Sequence, residues 1–175
     1  MKKVLYGMAG AITVGLIAIY AYAFSLPAQW TVEHERAVSA SPADAYALLG
    51  DLKAWPEWSS WGPQSDETAT WAFSDKTAGE GARAEWNGEK LGEGRLVVTR
   101  AVEPTRVEYD LWFAGREEPS NGVITLTETE SGTTILWVDR GTVDGNPLLR
   151  LLLPQVERQL SDDIERSLIR IDDQL

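Results

Sequence analysis

The sequence predicts an α+β fold in which a curved antiparallel sheet wraps around a long C-terminal helix, preceded by one transmembrane helix. Three observations predict it: an uncharged apolar run near the N-terminus, a series of short segments with alternating apolar residues, and a C-terminal stretch with an apolar stripe of helical period. We expect the membrane anchor in residues 1–27 and a single folded domain in residues 28–175.

The apolar run, Val4 to Leu26, contains no charged residue. A helix of its 23 residues would span roughly 34 Å, which is enough to cross a hydrocarbon core of about 30 Å. Lys2 and Lys3 precede the run and Arg36 is the first basic residue after it. The positive-inside rule therefore predicts a cytoplasmic N-terminus and an extracytoplasmic domain, periplasmic in a Gram-negative bacterium. A signal peptide cleaved at Ala21-Tyr22-Ala23 is the alternative, although the run is long for one.

Small residues form a stripe along this helix. Gly7, Ala11 and Gly15 lie at i, i+4 and i+8, and such a stripe lets two membrane helices pack closely. The stripe therefore predicts a weak dimer through the anchor. Small residues are also common in membrane helices that make no such contact, and this alternative stays open.

Composition excludes several classes of function. The chain has 16 basic and 27 acidic residues, so its net charge of −11 opposes binding to nucleic acid. It has no cysteine and a single histidine, His34. Disulfides, thiol nucleophiles and cysteine- or histidine-rich metal sites are thereby excluded. No loop has the ligand periodicity of a calcium site, and we predict no metal and no cofactor.

The folded domain begins with a strand at residues 30–40 and two helical segments. Ser41 is placed to cap the first helix, with Pro42 in its first turn. The second segment, residues 53–61, carries tryptophans at i, i+3 and i+6, which would lie roughly along one helix face. These are Trp55, Trp58 and Trp61. We interpret them as a lid over one end of the core, with a role in gating ligand entry as the alternative.

The period then changes from helical to two, which is typical of half-buried strands. The predicted strands are residues 68–74, 82–87, 91–101, 106–113, 123–128 and 133–143. Turn residues separate them at short intervals, so one antiparallel meander is expected.

The C-terminal residues 147–175 are predicted to be helical. Apolar residues recur there at i, i+4, i+8 and i+11, namely Leu160, Ile164, Leu168 and Ile171. Pro154 should start or kink the main helix. A strongly curved sheet around one helix often leaves a gap between the two layers, and such a gap can hold a ligand.

Several motifs, in order, resemble one known family. The segment Asp51–Ser59 resembles the D-x-x-x-W-P-x-W-S signature of the polyketide cyclase/dehydrase-like branch of the START-like (SRPBCC) superfamily. Ala40–Asp44 is similar to the family's entry to the first helix, and Trp86 with Gly92–Gly94 to its W…G-x-G strand pair. Gly132–Trp137, followed by Gly141, resembles its G-T-x-V-x-W…G strand. The resemblance implies a helix-grip fold with a hydrophobic cavity, but no single chemistry.

Strand parity selects the candidate ligand-binding residues. Trp86, Tyr109, Phe113 and Trp137 should face the C-terminal helix, where their rings could grip a ring or an acyl chain. Asp139 shares parity with Trp137 and would be the one polar group facing inward, with a raised pKa if it is buried. Two alternatives stay open: the rings only fill the core, and the strand has already reached solvent at Asp139.

Other candidates for chemistry are weaker. His34 lies mid-strand between two glutamates, with no nucleophile at a recognisable spacing, so we interpret it as a plain strand residue. The pairs Asp162-Asp163 and Asp172-Asp173 point about 100° apart on a helix and do not converge. No catalytic residue is predicted.

Three functions remain. The one we favour is a non-catalytic domain that binds a lipid or an aromatic metabolite in the cavity. A cyclase or dehydratase would instead need a polar group such as Asp139, Tyr109 or His34 inside the cavity. The third is an interaction domain whose cavity is filled by its own side chains.

Overall fold

A computed structural model of the chain describes residues 2–113, 115, 118–143 and 145–175, with side chains from Tyr6 onward. The side chains of Lys2 and Lys3, which carry the predicted orientation of the anchor, lie outside the described part. The order of elements agrees with the predicted α+β fold: an N-terminal helix, a strand, two short helices, six strands and a long C-terminal helix.

The N-terminal helix α1 spans Lys2–Ser25, and its part Tyr6–Ser25 is long and apolar enough to cross a membrane. Strand β1 (Gln29–Val38) follows after a short linker. Helix α2 (Pro42–Leu49) is capped as expected, because the Asp44 backbone N donates to Ser41 Oγ at 3.2 Å.

Helix α3 covers only Trp55–Trp58, so the predicted helix over residues 53–61 is too long. Trp61 lies in the turn that follows, because the helix already ends at Ser59 in extended conformation. The tryptophans at i, i+3 and i+6 therefore do not share one helix face, although all three are buried.

Six further strands complete one antiparallel sheet: β2 Thr70–Phe73, β3 Arg83–Gly88, β4 Gly92–Val102, β5 Arg106–Phe113, β6 Ser120–Thr129 and β7 Gly132–Thr142. The strand order across the sheet is β1-β7-β6-β5-β4-β3-β2. Buried and more exposed residues alternate along β5, β6 and β7, as the predicted period requires. The first strand pairs with the last, so β1 and β2 are the two edges.

The C-terminal region is a 3₁₀ helix, Pro147–Leu152, followed by the long helix α4, Leu153–Gln174. Pro154 lies in the first turn of α4, so the main helix starts there, one of the two predicted outcomes. Ile164, Leu168 and Ile171 are buried against the sheet. Helix α4 packs beside β1, where His34 Nε2 lies 2.7 Å from Ser161 Oγ.

Candidate functional site

A cavity of about 310 Å³ lies between the N-terminal half of α4 and the sheet. Its deep wall is formed by buried side chains: Trp30, Trp61, Leu111 and Asp139. Its rim is formed by more exposed ones: Lys90, Glu118, Val156 and Gln159. Phe113, Leu91 and Leu160 complete the apolar lining. The cavity is therefore mostly apolar, with polar groups at its mouth and one carboxyl group at its deep end.

The carboxyl group of Asp139 is 1% exposed and lies at the end of a short chain of hydrogen bonds. Trp137 Nε1 donates to Tyr109 Oη at 2.8 Å, and Tyr109 Oη donates to Asp139 Oδ1 at 2.8 Å. The second oxygen, Asp139 Oδ2, is buried and has no hydrogen-bond partner among the described residues. A polar atom in that state normally finds a partner, because burial removes its water.

Burial raises the pKa of Asp139 to about 7, although the hydrogen bond from Tyr109 opposes the shift. Near neutral pH the carboxyl group is therefore populated in both protonation states. Burial and the negative charge of Asp139 raise the pKa of Tyr109 well above its usual value. The phenol consequently remains a neutral hydrogen-bond donor.

Glycine at position 122 allows Tyr109 to reach Asp139 across the sheet. Gly122 of β6 is paired with both residues, with Tyr109 on one side and Asp139 on the other. A Cβ atom at Gly122 would lie 1.9 Å from Tyr109 Cζ, so the phenol ring occupies the space that a side chain would need. A mid-strand glycine often marks such a close approach.

The three tryptophans in and after α3 fill the centre of the sheet face that α4 covers. Trp55 packs edge-on against Tyr109, with ring centroids 5.2 Å apart, and Trp58 packs against Trp137 at 5.8 Å. Trp61 lies 6.2 Å from Trp137 and also lines the cavity. All three rings are part of the core, and Trp61 is the one of them that also borders the cavity.

The predicted site residues divide into three groups in the structure. Phe113 and Asp139 line the cavity. Tyr109 and Trp137 are buried behind Asp139 and do not line the cavity. Trp86 instead lines a wider surface groove of about 730 Å³ at the β2–β3 end of the sheet, which it shares with Phe113. The alternative in which Asp139 has reached solvent does not hold, because its side chain is buried.

Several cavity residues were not selected from the sequence. Trp30 lies over Gly141, where a Cβ atom would meet its ring at 2.5 Å, and Leu91, Val156 and Gln159 come from a turn and from α4. The paired aromatic and glycine in β1 and β7 are the one signal that would have indicated Trp30.

Asp66, also not selected, holds one wall of the cavity in place. Its carboxylate accepts hydrogen bonds from the backbone N atoms of Lys90 (2.7 Å) and Leu91 (3.0 Å), two lining residues. It also accepts one from Thr68 Oγ1 at 2.6 Å. Hydrogen bonds from Thr68 and Leu91 hold the pKa of Asp66 far below its usual range. The spacing Asp-x-Thr before a strand is a known turn signal that indicates this role.

Of the remaining candidates, only Asp163 belongs to the cavity lining. His34 is half-buried against α4 rather than in the cavity. Asp163 lines the cavity but is bound to Arg166 at 2.5 Å, whereas Asp162 points to solvent. Within the described residues, no cluster of three or more histidine or acidic side chains could hold a metal ion.

The sequence matches one family model, described as polyketide cyclase / dehydrase and lipid transport, over residues 29–175. No curated protein matches the sequence at a significant level.

Solved structures share this architecture at low sequence identity. A protein from Chromobacterium violaceum is 20% identical, covers 82% of this chain and 94% of its own, and has a TM-score of 0.60. The di-domain ARO/CYC StfQ from the steffimycin biosynthetic pathway is 14% identical with a TM-score of 0.64, over 83% of this chain and 50% of StfQ. The Aha1 dimer from Colwellia psychrerythraea is 14% identical with a TM-score of 0.58, over 82% of this chain and 94% of the Aha1 chain. These likenesses show the helix-grip fold.

Proposed function

This chain belongs to the polyketide cyclase / dehydrase and lipid transport family, and we propose that it is a membrane-anchored domain that binds a small hydrophobic molecule without transforming it. The ligand occupies the cavity between the sheet and α4 and places its one polar group against Asp139. Membrane anchoring by α1 and ligand binding are separate parts of the proposal, and each has its own test.

The observation that carries the proposal is the state of the second carboxyl oxygen of Asp139, Oδ2. One carboxyl oxygen is occupied by Tyr109, whereas Oδ2 is buried without a described partner. Asp139 also lines the cavity, so a ligand there is next to this group. An unpaired buried oxygen costs about 1–3 kcal/mol, and a hydroxyl, amine or carbonyl group of a ligand would remove that cost.

The size and lining of the cavity restrict the ligand. A volume of about 310 Å³ is at the small end of ligand pockets, which span roughly 300–1,000 Å³. The deep wall is aromatic and aliphatic, with Trp30, Trp61 and Leu111 around Asp139. A fused-ring metabolite or a single acyl chain with one polar group fits this description. The open volume also favours ligand binding over a pure interaction domain.

The anchor is supported by the way in which α1 joins the domain. Ala23 is completely buried, and Arg150 Nη1 donates to the Phe24 carbonyl oxygen at 2.8 Å. Cleavage at the Ala21-Tyr22-Ala23 motif would therefore cut the chain beside the contacts that join α1 to the folded domain. We place the N-terminus in the cytoplasm and the domain outside it.

Close packing of two anchors along Gly7, Ala11 and Gly15 stays a prediction. Full-length protein that remains in carbonate-washed membranes is expected, whereas a shortened soluble product would refute the anchor.

Fluorine NMR of the full chain in lipid nanodiscs tests the binding site, with 5-fluorotryptophan as the label and 2-naphthol as the probe. The resonances of Trp30 and Trp61 should shift on titration, because both rings line the cavity. The resonance of Trp112, which lines the surface groove at the β2–β3 end of the sheet, should not shift. Shifts confined to Trp86 and Trp112 would place the probe in the wrong groove and refute the proposal.

A matched pair of variants on α4 sharpens this test. Leu160→Phe enlarges a side chain that lines the cavity and should weaken the binding of 2-naphthol severalfold. Ile169→Phe makes the same kind of change at an exposed position and should not. Native mass spectrometry of protein released from nanodiscs should find a bound apolar molecule in the parent chain. If no molecule is found and no tryptophan resonance shifts, the binding proposal fails.

The alternative is a dehydratase that uses Asp139, and the pKa of about 7 favours it because both forms of the acid are available near neutral pH. In a dehydration the carboxylate would take a proton from the carbon next to a ketone. The neutral acid would then give a proton to the β-hydroxyl group, which leaves as water, so that an enone forms and Asp139 is restored.

This alternative has a direct assay. The hydroxyketone 4-hydroxy-4-phenylbutan-2-one loses water to give a conjugated enone that absorbs in the ultraviolet. A dehydratase would form the enone faster than buffer, and Asp139→Asn would abolish the acceleration. The non-catalytic function predicts that neither protein exceeds the buffer rate.

A further inference from the structure

The 3₁₀ helix before α4 exposes an unusual amount of apolar surface. Four of its six residues are leucines that are 38–53% exposed: Leu148, Leu149, Leu151 and Leu152. We call these four residues the leucine collar. Val156, one turn further on, is 41% exposed. Apolar surface in water costs about 25 cal/mol per Å², so a contiguous patch of this kind usually marks an interaction site.

The leucine collar is fixed to the end of α1. Arg150, in the same 3₁₀ helix, donates from Nη1 to the carbonyl oxygens of Phe24 at 2.8 Å and of Leu26 at 3.1 Å. Its guanidinium also lies 5.4 Å from the centroid of the Phe24 ring. A cation is favourable at the C-terminal end of a helix, where carbonyl groups lack partners. Arg150 therefore caps α1 and holds the collar beside its last turn.

The depth of the collar follows from the length of α1. The apolar part, Tyr6–Ser25, has 20 residues, which span about 30 Å, the thickness of the hydrocarbon core. Its last turn therefore lies at the outer edge of that core. Tyr22 and Phe24 are 61% and 64% exposed there, as suits aromatic side chains at a membrane interface.

We propose that the leucine collar is a second membrane-contacting element, seated in the outer edge of the same bilayer that α1 spans. The inference rests on the proposed anchoring of α1. The occupant is the bilayer because Arg150 joins the collar to the last turn of α1, the helix that is proposed to span that bilayer. The chain carries a net charge of −11, so the contact is apolar rather than electrostatic and should persist in high salt.

This placement sets where a ligand enters. Leu152, Val156 and Leu160 lie at i, i+4 and i+8 and form one apolar stripe. Val156 and Leu160 also line the cavity, whereas Leu152 belongs to the collar. The stripe therefore leads from the bilayer to the rim of the cavity. A molecule dissolved in the membrane can pass along it to the deep wall without crossing bulk water.

Depth-dependent fluorescence quenching tests the proposal, and the chain suits it because it contains no cysteine of its own. Single cysteines are introduced into the full chain and labelled with bimane in phosphatidylcholine nanodiscs. The lipids are brominated either near the head group or near the chain end. Leu149→Cys and Leu152→Cys report on the collar and Leu16→Cys on the middle of α1. Glu130→Cys serves as the distant control. It lies in the β6–β7 turn, whereas the collar follows the opposite end of β7, and these strands are roughly 30 Å long.

The expected result separates the four labels. Both collar labels should be quenched several times more strongly than the Glu130 label, and more by bromine near the head group. The Leu16 label should be quenched more by bromine near the chain end. High salt should change neither result. Because the collar leucines are exposed, these substitutions leave the core intact, and tryptophan emission checks that each variant is folded.

Two results would overturn the inference, and they differ in what else they remove. If the Leu16 label is quenched but both collar labels behave as the Glu130 label does, the collar stays in water while the anchor stands. If the Leu16 label is not quenched either, α1 does not span the bilayer, and the proposed anchoring fails together with the inference. Neither result bears on binding of 2-naphthol, which is measured at Trp30 and Trp61.

Discussion

Tyr109 and Asp139 lie on strands that are separated by β6, yet the phenol donates a hydrogen bond to the carboxyl group at 2.8 Å. The ring crosses over Gly122 to make this contact. Oδ1 of Asp139 thereby has a donor, whereas Oδ2 has no hydrogen-bond partner in the described part of the chain. Four predictions follow from this arrangement and from the charge state that it sets.

The stability of the fold should depend on pH through Asp139. Its pKa is about 7 in the folded state and about 3.9 when unfolded. Between these values the folded chain holds a proton that the unfolded chain has lost. The free energy of unfolding should therefore fall by up to about 1.4 kcal/mol per pH unit as the pH rises from 4 to 7, and then level off.

The matched variant for this measurement is Asp139→Asn, which keeps the shape of the side chain but cannot ionise. Urea unfolding followed by tryptophan emission gives the free energy for both proteins at each pH. The difference between the two curves isolates Asp139 from other titrating groups such as Asp66. Parallel curves from pH 4 to pH 7 would show that Asp139 is not buried as an acid.

Removal of the phenolic hydroxyl should destabilise the fold and raise the pKa of Asp139 further. In Tyr109→Phe, Asp139 Oδ1 loses its donor and Trp137 Nε1 loses its acceptor. Unsatisfied buried groups cost about 1–3 kcal/mol each. Urea unfolding measures the loss, and carbon NMR of the Asp139 carboxyl group measures the pKa. Tyr46→Phe, at a half-buried tyrosine outside the cavity, should cost much less.

A single methyl group at position 122 should displace Tyr109. The Cβ atom of Gly122→Ala would lie 1.9 Å from Tyr109 Cζ, so the ring or the strand must move. Overpacking of this kind costs about 1–3 kcal/mol or more. Thr127→Ala on the same strand is exposed and serves as the control. Equal urea midpoints for the two variants would contradict the close approach.

Two ligands of similar size, one that donates a hydrogen bond and one that only accepts, should bind with opposite pH dependence. The hydroxyl group of 2-naphthol can donate to ionised Asp139, so its affinity should rise as the pH increases through 7. The ketone 1-tetralone only accepts hydrogen bonds, so its affinity should rise as the pH falls through 7. Both trends should vanish in Asp139→Asn. Fluorine NMR titration in nanodiscs measures each affinity, and a shared pH trend would place the polar group of the ligand away from Asp139.

The elements of the fold could be predicted because each is coded by local pattern. The alternation from Val107 to Phe113 predicted β5 with the bounds that it has, and Pro154 marked the start of α4. The weakest prediction was the helix over residues 53–61, which the structure shortens to Trp55–Trp58. Tryptophans at helical spacing indicated a helix there, but each ring is held by tertiary packing instead.

The sequence by itself determined the face on which each strand residue lies, since the two-residue period of a strand places Tyr109, Trp137 and Asp139 on the same side as the C-terminal helix. Only the tertiary structure decided which of them line the cavity. Trp55 and Trp58 pack against Tyr109 and Trp137, whereas Asp139 lines the cavity. A cavity is the space that packed elements fail to fill, so its position depends on long-range contacts that no local periodicity encodes.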